Sequence, residues 1–165
     1  MFTVKKVYRD LPAAHRQPTH EGHCRFIHGH NWEFHISFGC DTRDKNGFVI
    51  DVGALGFVKD FLVAKFDHTL LLNGDDPLLP LLEQTIGEDD EDGYCAKIVV
   101  VQNCGMEGLA QYVFEKVDQF IYSQGPVLME RGVRVLAVTC FEDSKNSACY
   151  CPPLVTVTSN STTDE

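Results

Sequence analysis

Six of the seven histidines fall between positions 15 and 35, as His15, His20, His23, His28, His30 and His35, and the seventh follows a carboxylate in Asp67-His68. Within the cluster, His28-Gly29-His30 is the most informative spacing. Residues two apart on a strand share a face, so both imidazoles can reach one metal ion. Continuing that parity gives Trp32, Phe34, Ile36 and Phe38, which turns the pair toward the apolar side of a sheet. An isolated His-x-His can instead be a hydrogen-bonded core pair. Here His15 ends Pro12-Ala13-Ala14-His15, whose small residues permit close approach, and it would complete a three-histidine site with an open fourth position. Three protein ligands plus water is the arrangement of catalytic zinc. His20 and His23, in the intervening loop, compete for the third place, whereas His35 lies on the opposite strand face.

Two further groups could move protons. Cys24 stands four residues before His28 and could act as a base if a cation acidified its thiol, although a single cysteine is more often an inert packed one. Asp67 could fix the tautomer of His68 and make an oriented acid/base pair, a weak signal taken alone.

The elements that must position these groups follow from periodicity. Residues 2 to 9 alternate as a strand that Pro12 should close, and the run from His30 to Phe38 reads as a half-buried antiparallel strand. The Asn46-Gly47 turn followed by Phe48-Val49-Ile50 reads as a hairpin. Asp51 can cap a helix through about residue 65, with Leu55, Val58, Phe61 and Leu62 on its apolar side. Residues 74 to 95 read as a connection whose acidic run, Glu88 to Asp92, is a solvated tip. Ile98 to Val101 is a short strand, residues 106 to 122 the clearest helix, and Val133 to Phe141 the last strand. The order predicts an α+β domain over residues 1–150, with helices on one face of an antiparallel sheet, and a loose tail over 151–165.

Composition narrows the functional classes. With 165 residues and 44% hydrophobic residues the chain can bury a core, and a net charge of -10 argues against nucleic acid as a partner. No run approaches the roughly 18 to 20 apolar residues of a membrane helix, and MFTVKKVYRD lacks a signal-peptide core, so a cytoplasmic protein without membrane contact is expected. Seven cysteines without a Cys-x-x-Cys pair argue against a disulfide framework.

Taken in order, Ala13-Ala14-His15, Cys24 to Trp32 (CRFIHGHNW), Asn46 to Asp51 (NGFVID) with Leu55, and Phe66-Asp67-His68 resemble the 6-pyruvoyl-tetrahydropterin synthase and 6-carboxytetrahydropterin synthase family. Asn103 to Glu107 (NCGME) falls where that family has an Asn-Pro-Thr-x-Glu-like motif, and Glu142 stands eight residues before Tyr150 as its pterin-anchoring glutamate stands before an aromatic. The resemblance spans about residues 3 to 150. It implies the tunnelling fold, a four-stranded antiparallel sheet with two helices on one face, joined edge to edge into an oligomeric barrel, usually a hexamer, with active sites between subunits. It places Zn2+ on His15, His28 and His30, the general base on Cys24, the acid/base pair on Asp67 and His68, and pterin binding on Glu142 and Glu107.

The substrate implied is a pterin triphosphate, 7,8-dihydroneopterin triphosphate. The short gap from Cys24 to His28 resembles the bacterial carboxy branch, whose product is 6-carboxy-5,6,7,8-tetrahydropterin with acetaldehyde and triphosphate, on the route to queuosine. The pyruvoyl branch and a non-catalytic pterin-binding member are the alternatives, and a structural zinc site with Cys24 as fourth ligand is a third. Three departures from the family stand out: a longer loop after His68, Cys104-Gly105-Met106 in place of the threonine motif, and Leu11 for a common phenylalanine. Arg16, Arg25, Lys65 and Lys145 are the cations nearest in sequence to these motifs.

Overall fold

The computed structural model describes residues 1–86 and 96–153. In chain order the elements are β1 (Phe2–His15), a 3-10 turn (His23–Arg25), β2 (His28–Cys40), a second 3-10 turn (Val52–Ala54), α1 (Gly56–Phe66), β3 (Thr69–Asn73), α2 (Leu79–Ile86), β4 (Lys97–Val101), α3 (Met106–Ser123), α4 (Pro126–Glu130), β5 (Arg134–Phe141) and β6 (Ser147–Tyr150). The expected acidic tip at Glu88 to Asp92 and most of the expected tail, residues 154–165, lie outside the described residues. Among the described residues no helix is long and apolar enough to cross a membrane.

The α+β class holds, but the sheet differs from expectation. It has six strands in the order β4-β3-β1-β2-β5-β6, where four antiparallel strands were expected. The β1/β2, β2/β5 and β5/β6 pairs are antiparallel, and the β1/β3 and β3/β4 pairs are parallel. The sequence reading assigns no strand to Thr69–Asn73 because its first four residues are all buried, and a strand covered on both faces shows no alternation. The leucine-rich part of the expected connection is the helix α2, and α4 is a further short helix, so among the described residues four α-helices replace the expected two. The four-residue β6 follows a tight turn in which the Asp143 carboxylate accepts the Lys145 and Asn146 N–H groups.

Phe48 to Ile50 is not a hairpin strand. Both edges of β2 are occupied, by β1 and β5, so no ladder remains for it. The Asn46-Gly47 turn instead closes locally: the Asp44 carboxylate accepts the Asn46 and Phe48 N–H groups, and the Arg131 guanidinium donates to the Phe48 and Val49 carbonyls. Asp51 caps the second 3-10 turn through the Gly53 N–H, and α1 starts five residues later, at Gly56.

Trp32, Phe34, Ile36 and Phe38 are fully buried, as their parity requires. They share one core with Val58, Leu62 and Phe66 of α1 and with Leu109, Val113, Val117 and Ile121 of α3. At about 25 cal/mol per Å2 of apolar surface, four such side chains contribute on the order of 10 kcal/mol to folding, which is why β2 is central.

The strand β1 runs through Pro12 to His15 rather than ending at it. Proline only removes a ladder donor, which is tolerated beside a bulge, and the Pro12 carbonyl still accepts the His68 N–H at 2.7 Å. The bulge is at Arg9-Asp10: Tyr8 pairs with Phe34 and Leu11 with Trp32, so two residues of β1 oppose Glu33 alone. Asp10 takes the left-handed φ of 63° that accommodates the extra residue. This single insertion reverses the parity of β1. Tyr8 faces the core from an even position, and beyond the bulge Leu11, Ala13 and His15 face it from odd ones.

Candidate metal centre

The reversed parity puts His15 directly opposite His28 in the β1/β2 ladder, with Ala13 opposite His30. His15 is almost fully buried, and the other two rings are half-buried beside it. Each of the first two rings is oriented by a backbone carbonyl. His15 Nδ1–H donates to the Cys104 carbonyl at 2.7 Å, and His28 Nδ1–H donates to the Phe26 carbonyl at 2.7 Å. A carbonyl only accepts, so in the neutral rings both Nε2 atoms carry lone pairs. Those two Nε2 atoms face each other at 3.1 Å. Two lone pairs held at that distance repel unless a cation lies between them, and a metal whose histidine ligands are fixed by outer carbonyls is the arrangement that supplies one.

The third ring agrees. His30 Nε2 is buried without a hydrogen-bond partner. Burial lowers the His15 pKa to about 4, with the charges of His28 and His30 adding to the effect and the Cys104 carbonyl opposing it, so His15 is held in the neutral form a metal requires. Trp32 backs the cluster, its ring 4.9 Å from that of His15 and 5.4 Å from that of His30, while its Nε1–H donates to the Ala13 carbonyl at 3.2 Å.

A fourth group joins them that the sequence reading placed only on the pterin. Glu142 directly follows β5, and continuing the β2/β5 register places it opposite Trp32 on the same face. Its Oε1 is 3.2 Å from His30 Nε2 and 3.5 Å from His15 Nε2. The ligand atoms of His15, His28, His30 and Glu142 all lie within 4.8 Å of one another. Of the competing histidines, His20 is exposed and accepts the Gly22 N–H, His23 is exposed, and His35 pairs with Glu33 on the other face.

The remaining expected residues lie around this cluster. Cys24 is a half-buried free thiol in the first 3-10 turn, anchored by its carbonyl, which accepts the Gln17 N–H at 2.7 Å. It is not one of the four clustered groups. Asp67 and His68 do form a pair, Nδ1 to Oδ1 at 2.6 Å, with the His68 side chain 85% exposed. His68 lines an open groove with Pro12, Gly29, His30 and Asn31, and it too lies outside the cluster. Glu107, in the first turn of α3, lines a cavity of about 530 Å3 with Asn103, Gln111, Tyr112 and Tyr150. The buried Cys140 thiol feels both glutamates: burial raises its pKa well above the ordinary value, and the charges of Glu142 and Glu107 raise it further. Arg16 is engaged by the buried Asp76 carboxylate at 3.0 Å. The carbonyls of Cys104 and Phe26 are functional groups that sequence reasoning missed, since every residue offers the same carbonyl.

Comparison with known proteins identifies the family and the fold. A family model described as 6-pyruvoyl tetrahydropterin synthase matches residues 4–153. The chain is 35% identical over 95 residues to 6-carboxy-5,6,7,8-tetrahydropterin synthase of Rickettsia typhi, covering 57% of this chain and 64% of that protein. It therefore spans less than two thirds of that relative's length. It is 27% identical over 129 residues to the Aquifex aeolicus protein of the same name, covering 77% of this chain and 75% of that one. An uncharacterized protein from Wolinella succinogenes shares the fold with a TM-score of 0.75 at 21% identity, over 92% of this chain and 98% of that one. Plasmodium vivax 6-pyruvoyltetrahydropterin synthase shares it with a TM-score of 0.60 at 19% identity, over 91% and 98%.

Proposed function

The chain belongs to the 6-pyruvoyl tetrahydropterin synthase family, and from that premise we propose that it is a zinc-dependent 6-carboxy-5,6,7,8-tetrahydropterin synthase. It would convert 7,8-dihydroneopterin triphosphate and one water to 6-carboxy-5,6,7,8-tetrahydropterin, acetaldehyde and triphosphate, on the route to deazapurines such as queuosine. The observation that carries this reading is the convergence of the His15, His28 and His30 Nε2 atoms on one point, two of them with Nδ1–H bound to a carbonyl. The carboxy branch is favoured by relatives named for that product. The pyruvoyl branch is the second reading, favoured by the name of the matching family model.

His15, His28 and His30 hold the metal. The chemistry supplied by zinc there is Lewis-acid polarisation of a substrate oxygen. Cys24, as thiolate, removes a proton from the substrate side chain. His68, its tautomer fixed by Asp67, returns one. Glu142 and Glu107 accept hydrogen bonds from the amino and ring N–H groups of the pterin, which set its register. If active sites form between subunits, as the family resemblance implies, a second copy supplies the Asp67–His68 pair at each site. The terminal strands β4 and β6 offer edges for the homo-oligomeric barrel, a hexamer, that would bring the copies together. The cytoplasm is the proposed setting, where the free thiols stay reduced.

Incubating the zinc-loaded protein with 7,8-dihydroneopterin triphosphate, with products followed by mass spectrometry and an acetaldehyde assay, tests the reading. Acetaldehyde with a 6-carboxy pterin supports it. A pyruvoyl pterin without acetaldehyde transfers the protein to the other branch, and unchanged substrate refutes the reaction. Cys24→Ala should abolish turnover with zinc content and folding intact; loss of zinc would make Cys24 a ligand instead of the base.

A further inference from the structure

A tetrahedral metal site with bonds of 2.0–2.1 Å has ligand-to-ligand edges of about 3.3 Å. The His15–His28, His30–Glu142 and His15–Glu142 separations are 3.1, 3.2 and 3.5 Å. These include two of the three edges that Glu142 would make, and its Oε1 lies within 4.8 Å of every histidine ligand atom, so it stands beside the fourth position. The absence of a hydrogen bond supports this. His30 Nε2 is buried and unpartnered although Glu142 Oε1 is only 3.2 Å away, so the ring and the carboxylate aim at a common point rather than at each other. Yet a carboxylate that accepts two parallel bonds from a pterin edge needs both oxygens free of the metal.

We propose that Glu142 has two alternating partners: it closes the metal site as a fourth ligand when no pterin is bound, and the arriving pterin draws it off and opens the position. This rests on the metal-dependent reading above. The placement of Glu142 suits such an exchange. Its backbone is held at the end of β5, the N–H donating to the Asn146 carbonyl at 3.2 Å across the turn that Asp143 organises. Its side chain is 18% exposed, so it can rotate without unpacking the core. The pterin-free protein then has no open coordination position, which protects it from idle hydrolysis, and pterin binding and site opening are one event.

The experiment uses the full-length protein loaded with Co2+, whose visible absorption is intense in four-coordinate sites and weak in higher ones, together with chelator competition for Zn2+ affinity. The parent should show four-coordinate bands that change on addition of neopterin. In Glu142→Gln, and in Glu142→Asp with its shorter reach, water should take the fourth position, so the bands should shift from those of the parent and no longer respond as the parent's do to neopterin, and Zn2+ should bind at least tenfold more weakly. Identical spectra and affinities in parent and Glu142→Gln overturn the proposal while leaving a three-histidine metal site standing. A parent spectrum unmoved by neopterin that is demonstrably bound, by fluorescence quenching, overturns the exchange. Failure of parent and variants alike to bind either metal overturns the proposal together with the metal-dependent function.

Discussion

Replacing Gly108 by alanine tests the link between the α3 backbone and the metal cluster. In an ordinary helix this substitution stabilises, by about 1 kcal/mol of propensity. Here a Cβ on Gly108 would lie 2.3 Å from the Asn103 carbonyl oxygen and 2.5 Å from the Asn103 Cβ, both far inside ordinary contact. The obstacle is mainly backbone, so the loop preceding α3 must move, and overpacking of that kind costs about 1–3 kcal/mol. The net expectation is a loss of about 1 kcal/mol, or about 2–4 °C in Tm. The loop carries Cys104, whose carbonyl orients His15, and losing such an outer contact typically weakens metal binding by about 10–100-fold. Gly56→Ala is the control, because nothing lies within 4 Å of a Cβ there, and it should be neutral or stabilising by about 0.5 kcal/mol. Urea denaturation of the metal-free proteins and zinc titration by chelator competition measure both effects. If Gly108→Ala is stabilised as much as Gly56→Ala and keeps the parent zinc affinity, the coupling of α3 to His15 through this loop is wrong.

The metal-free protein should lose stability in acid through His15. Its folded-state pKa of about 4 lies below the ordinary 6.5, so the unfolded chain takes up the proton first; stability complete above pH 6.5 is lost as pH falls toward 4, by about 3 kcal/mol in all. Urea midpoints across that range should slope less in His15→Gln, and equal slopes would remove His15 as the cause. Trp32→Phe deletes the Nε1–H that the Ala13 carbonyl accepts beside the cluster, and the lost hydrogen bond should cost about 0.5–1.5 kcal/mol in equilibrium unfolding, an expectation that parent-like stability would rule out.

Much of the site was legible before any fold was known. The parity of β2 alone put His28 and His30 on the apolar face with Trp32, because side chains on a strand alternate with a fixed period and four large apolar residues leave only one face for the core. The apolar periodicity of residues 106 to 122 likewise sufficed for α3, whose observed span is Met106–Ser123. Buried β3 was not legible, since a strand covered on both sides carries no alternation, nor was the failure of Phe48 to Ile50 to pair, which was decided by competition for the edges of β2. The placement of His15 was decided by the Arg9-Asp10 bulge. Read through without a break, the alternation of β1 sends Tyr8 and His15 to opposite faces, and one extra residue, placed by the long-range β1/β2 register, brings them to the same one. Glu142 reaches the cluster for the same kind of reason: residues 15 and 142 join 28 and 30 only through cross-strand pairing, an interaction that local periodicity does not encode.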